Sequence, residues 1–143
     1  MVDAITDKHC AEGITVYPAA KPTAILAFEA RIGFPLPDDF RAFYEYCNGF
    51  CCEEDWFIMT ELEEITQFKH GMGDNCFIFS EYLTYCDGWG LRRTDAGQYE
   101  IFNMSYPEIT MTHSLVTFLE YFLAGNVFDP GGLYDWQETL GIP

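Results

Sequence analysis

The period of the apolar residues changes twice along this 143-residue chain, and the order of those changes limits the folds open to it. From Thr23 onward, Ile25, Leu26, Phe28 and Ile32 recur at helical spacing and stop at Gly33, where a glycine ends a helix in the left-handed conformation. A second stripe, Phe40, Phe43, Tyr44 and Cys47, follows a turn through Pro35 and Pro37. Asp38 and Asp39 suit the positive N-terminal end of that helix, and Asn48-Gly49 closes it. Beyond residue 55 the pattern shortens to strand-length runs at 56–59, 76–80, 88–93 and 99–104. Thr94-Asp95-Ala96-Gly97-Gln98 carries turn chemistry and predicts an antiparallel hairpin, residues 61–69 suit a short polar helix or turn, and residues 109–111 add to the sheet. Helical spacing returns from Ser114, with Leu115, Phe118, Leu119 and Phe122 on one face up to Gly125. After a turn at 129–132, residues 133–140 form a last helical turn that brings Tyr134 and Trp136 back onto the body. Helices first, a meander in the middle and a helix last predict a single α+β domain over 22–143, preceded by an extended lead-in over 1–21 that has no period of its own.

Composition fits a folded body: hydrophobic residues make up 49% of the chain and aromatic residues 17%. The apolar runs fall far short of the roughly 20 residues of a membrane helix. The opening MVDAITDKHCAEG lacks the charged-then-apolar order of a secretory signal, so a cytoplasmic location is expected, with no membrane partner. In that compartment the six cysteines, at 10, 47, 51, 52, 76 and 86, are expected to be reduced.

Charge narrows the partners further. Against 23 Asp and Glu stand 7 Lys and Arg, a formal net charge of -16, and the acids are spread over every segment. Such a body repels nucleic acid and speeds encounter with basic proteins, an effect that fades with salt.

Residues 35–55, PLPDDFRAFYEYCNGFCCEED, hold the densest chemistry. Cys47, Cys51 and Cys52 with Glu53 invite a zinc reading, but two of the thiols are adjacent and no second CxxC or nearby HxxxH supplies the remaining ligands. His9, His70 and His113 lie far apart, and no nucleophile motif surrounds any cysteine. Cys47 on an apolar helix face and Cys76 at the head of an apolar strand are expected to act as small buried hydrophobes. Gly71-Met72-Gly73 lacks the strand, the length and the Lys of a phosphate loop. A thiol- or metal-dependent hydrolase therefore remains the enzyme alternative without a spacing to support it; no catalytic residue, metal or cofactor is expected.

The segment FEARIGFPLPDDFRAFYEYCNGF, residues 28–50, resembles the start of the SUKH superfamily, the fold shared by fungal cell-wall assembly regulators and many bacterial toxin-immunity proteins. The shared elements are Glu29, Ile32-Gly33, Leu36-Pro37 and Asn48-Gly49. FIFSEYLTYCDGWGLRRTDAGQYEIFN is similar to the family's strand and hairpin region, and ITMTHSLVTFLEYFLAGN to its closing Ser-Leu-x-x-Phe-Leu helix. The resemblance spans roughly residues 22–126.

It implies a non-catalytic binding module: an immunity protein that binds and neutralises a cognate toxin, with an intracellular regulatory adaptor of the cell-wall-regulator type as the alternative. The surface of such an immunity protein follows its toxin, so the contact residues have to be sought in this sequence. Glu53, Glu54 and Asp55 after the second helix, with Glu61, Glu63 and Glu64 on the next polar element, are the expected contacts for a basic, nuclease-like partner. Tyr82 and Tyr85 are the expected aromatic anchors, with Trp56 a weaker choice because a Trp in an apolar run is ordinarily core.

Overall fold

The computed structural model describes residues 13–52, 56–65, 75–82, 87–94 and 98–143. Among them, six strands form one antiparallel sheet in chain order: β1 (Ile14–Val16), β2 (Phe50–Cys52), β3 (Phe57–Met59), β4 (Cys76–Tyr82), β5 (Asp87–Arg93) and β6 (Tyr99–Asn103). Four α-helices accompany it: α1 (Pro22–Ile32) and α2 (Asp38–Tyr46) between β1 and β2, then α3 (Leu115–Gly125) and α4 (Leu133–Thr139) after β6. This is the expected α+β architecture. Within the segment taken as a lead-in, Ile14–Val16 is a sheet strand, with the Ile14 side chain fully buried.

Helix ends follow local chemistry. Gly33 closes α1 at φ 85°, its N–H donating to the Glu29 carbonyl. The Ser114 hydroxyl accepts from the Thr117 N–H and caps α3. Cys47, expected on the second helix, instead follows it in extended conformation. Trp56, expected within a strand, sits in a turn at φ 54°, and the strand begins at Phe57. Residues 109–111 form no strand; Met111 and Thr112 hydrogen-bond Ile101 and shield the edge of β6.

Alternation along the strands sends Phe50, Phe57, Phe77, Phe79, Trp89 and Leu91 into the main core. Phe57 stacks on Phe122 of α3 with ring centroids 4.3 Å apart, while Phe79 and Trp89 meet Phe118 edge-on at 5.3 and 5.9 Å. Phe40 of α2 packs edge-on against Phe77 and Phe79. A register shift in β4 between Ile78 and Ser80 restarts the alternation, so Tyr82 points to the helical side again.

The other face carries a smaller cluster, Cys76, Ile78 and Phe102, with Met104 against it. There Phe102 and Ile78 lie across β5 at Gly90, where a Cβ would stand 2.7 Å from Phe102 Cζ. Gly49, at φ 95°, passes so close to the Met59 carbonyl that only glycine fits.

Candidate partner-binding site

The strand register separates the expected contact residues. Cys52, Phe57, Tyr82 and Asp87 pair across one end of the sheet, whereas Glu61, Glu63 and Glu64 follow β3 at its other end. Glu53, Glu54, Asp55 and Tyr85 lie outside the described residues.

At the Glu61 end, a 3-10 turn over Leu62–Glu64 sits against the stop of α2. Asn48 joins them: its Oδ1 accepts from the Leu62 N–H at 3.0 Å, and its Nδ2 donates to the Glu63 carboxylate at 2.9 Å. The Asn48 N–H donates to the Pro18 carbonyl at 2.8 Å, tying the same corner to the segment after β1. Glu63 and Glu64 are exposed and Glu61 is half-buried. Burial, then the charges of Glu63 and Glu64, push the Glu61 carboxyl up from the ordinary range. Tyr17 is pushed up too, first by burial and then by Cys51 and Glu61. A cavity of about 380 Å³ opens here, lined by Tyr17, Lys21, Asn48, Glu61 and Glu63 among others. The Arg31 guanidinium donates to the Leu62 and Ile65 carbonyls and is not ion-paired with Glu61, Glu63 or Glu64. The arrangement holds Glu63 in place beside Glu61, whose carboxyl costs more to charge there, and a cation brought alongside relieves that cost.

At the other end, Tyr82 packs edge-on against Phe128 and Tyr134. Trp56 is exposed there, against the base rate for a Trp in an apolar run. Phe128, also exposed, carried no signal in the sequence because it stands alone in a turn.

A larger cavity, about 650 Å³, lies elsewhere, between the 34–41 segment and the start of β6. Two of its titratable side chains, Arg41 and His113, are engaged by the fold. Arg41 is paired with Glu29, whose carboxylate also accepts from the Leu36 N–H, and His113 Nδ1 meets the Tyr99 carbonyl at 2.9 Å. Asp39 accepts from both the Tyr99 hydroxyl and the Leu115 N–H, and burial with that carboxylate drives the tyrosine far above its usual range. Among the described residues, no Cys, Ser or Thr lines this cleft.

The cysteine stretch diverges in space. Cys51 and Cys52 form β2, where alternation buries Cys52 in the core and turns Cys51 to the opposite face. Cys47 is buried, which pushes its thiol up and away from the reactive thiolate. Among the described residues no group of three or more His, Cys, Asp or Glu is placed to hold a metal ion. No helix among them is long and apolar enough to cross a membrane.

A family model described as SMI1 / KNR4 family (SUKH-1) matches residues 19–108. The match takes in α1, α2 and strands β2 to β6. Comparison with curated proteins finds no match.

Proposed function

Because the chain belongs to the SMI1 / KNR4 family (SUKH-1), we propose that it is a non-catalytic protein-binding module that acts as an immunity protein, neutralising a basic toxin by stoichiometric association. Family membership supports the binding role. The observation that carries the choice of a basic partner is the acidic corner: Glu63 is held outward by Asn48, beside Glu61 and Glu64, on a body of net charge -16. A toxin loop rich in Lys or Arg meets fixed carboxylates there, and the field of the whole body speeds the encounter. Glu53, Glu54 and Asp55 extend the same chemistry in sequence, and Tyr82 and Tyr85 supply apolar contact.

The test is affinity capture of the tagged full chain from its native host, with mass spectrometry, followed by co-expression of the captured protein alone and with this chain. The expected result is a basic protein whose toxicity disappears on co-expression and whose association slows as salt rises. Capture of a non-toxic regulatory protein instead would overturn the immunity reading in favour of an intracellular adaptor. Stoichiometric zinc, or a thiol that reacts rapidly near neutral pH, would overturn the non-catalytic reading.

A further inference from the structure

Among the described residues three aromatic side chains are exposed: Tyr46 ends α2, whereas Trp56 and Phe128 lie at the Tyr82 end of the sheet. Trp56 is 64% and Phe128 55% exposed. Trp56 directly precedes Phe57, whose Cα partner in β4 is Tyr82. Phe128 sits edge-on to Tyr82 and Tyr134, with ring centroids 5.1 and 5.3 Å away. Rings this close leave no room for a group between them, so the open surface of Phe128 is the part turned to solvent. Trp56 adds a left-handed backbone at φ 54°, uncommon for so bulky a side chain.

Beside the rings lies a further recess, of about 330 Å³, lined by Asp87, Asn103, Tyr134, Gln137 and Glu138 among others. Asp87 is answered on both oxygens: Oδ1 accepts from the Gly88 N–H, and Oδ2 from the Tyr134 hydroxyl and Asn103 Nδ2. Gln137 is answered on only one side of its amide. Trp89 Nε1 can only donate, and it donates to Gln137 Oε1 at 2.6 Å, so the amide turns its NH2 away from Trp89. Gln137 is 5% exposed and lines the recess, yet its Nε2 finds no acceptor among the described residues. That NH2 is not among the sealed polar atoms without a partner, so it opens onto the recess, where a carbonyl can accept from it.

Charge completes the description. Asp129, Asp135 and Glu138 are exposed on this segment, and no Lys or Arg follows Arg93 in the chain. Carboxylates around the rings disfavour an anionic occupant and favour a cation that also stacks on an aromatic face, as a guanidinium does.

We propose that this rim, Trp56, Tyr82, Phe128 and Tyr134 with the Gln137 recess, docks an arginine-bearing loop of a basic protein. The guanidinium lies on Phe128 near the Asp129 and Glu138 carboxylates, and a main-chain carbonyl of the loop accepts from Gln137. The inference rests on the protein-binding reading above and adds an aromatic anchor to its acidic corner. The two patches flank β3, whose three residues cover only about 7 Å, so one interface of ordinary size, about 800 Å² per partner, reaches both.

The test titrates the 15N-labelled full chain with the peptide acetyl-Gly-Arg-Gly-amide, followed by NMR, with acetyl-Gly-Glu-Gly-amide as control. The expected result is saturable shifts at the Trp56 indole N–H, the Phe128 amide and the Gln137 side-chain NH2 with the arginine peptide only. Phe128→Ala, with a spectrum otherwise superimposable on the parent, is expected to weaken that binding at least fivefold. No saturable shift, or Phe128→Ala binding like the parent, overturns the rim. Shifts confined to Glu61, Glu63 and Glu64 also overturn it while leaving the basic-partner reading standing. Shifts at the rim, with no basic protein captured from the host, do the reverse.

Discussion

Replacing Asn48 by Ala tests whether one side chain organises the acidic corner. The substitution removes the acceptor for the Leu62 N–H, 3.0 Å away, and the donor to Glu63, 2.9 Å away, while the Asn48 backbone bond to Pro18 remains available. Leu62 is fully buried, so its N–H gains little from solvent when the acceptor goes, at a cost of about 1–3 kcal/mol. The bond to Glu63 is solvent-exposed and adds little, so the total is about 2 kcal/mol. At roughly 3 °C per kcal/mol for a chain of this length, the denaturation midpoint drops by about 6 °C. Urea unfolding followed by circular dichroism measures the loss directly, with m unchanged if only the folded state is affected. Two further variants separate the parts. Glu63→Gln keeps an acceptor for Asn48 and stays within about 0.5 kcal/mol of the parent, as surface changes do. Asn48→Asp keeps an acceptor for Leu62 but faces Glu63 with a like charge, so its deficit at pH 7 shrinks as the carboxylates are protonated. An Asn48→Ala loss under about 0.5 kcal/mol would refute the reasoning, because the Leu62 N–H would then have another partner.

Other expectations concern the rest of the fold. Gly90→Ala drives a methyl into Phe102, Ile78 and the Phe77 carbonyl, and should cost about 1–3 kcal/mol in urea titration. Glu81 has its carboxyl pushed up by burial, so the folded state holds that proton more tightly than the unfolded chain and loses stability as pH rises through the window above the ordinary carboxylate value. Glu81→Gln is therefore expected to raise the thermal midpoint at pH 7, with the gain vanishing below about pH 4, where both states are protonated; an equal gain at both pH values would contradict this. Glu100 has the opposite sign, its carboxyl held low mainly by the Thr110 hydroxyl, so Thr110→Val should lose stability at pH 7 and recover relative to the parent on acidification. Cys47 should resist a thiol reagent in the native protein and label only on denaturation, as mass spectrometry of digests would show.

Helix periodicity and glycine stops made α1, α2 and α3 legible, because each buries a stripe that repeats within one element. The β5–β6 hairpin was legible from the turn chemistry of residues 94–98. Strands β1 and β2 were not: at three residues each they are too short to show a period, and their pairing with each other joins segments more than thirty positions apart. The candidate site divides in the same way. Carboxylates at 61, 63 and 64 announce themselves in sequence, but Asn48 reads only as a helix stop until the chain returns after β3 and brings Leu62 and Glu63 to its side chain. Phe128 and Gln137 gain meaning from neighbours forty or more positions away, Tyr82 and Trp89, which local pattern does not show.

The placement of α3 on the aromatic face bears on where this unit can be cut. Residues 19–108 share the family pattern, yet Phe118 and Phe122 lie beyond them and cover Phe57, Phe79 and Trp89, while Ile14 lies before them and is fully buried. An excised 19–108 fragment would expose a sheet of phenylalanines to water, a surface that recruits other copies before it recruits any partner. The segment that defines kinship is therefore smaller than the segment that folds: recombination or truncation respecting the family boundary would still break the core, and a viable module has to carry its closing helix with it.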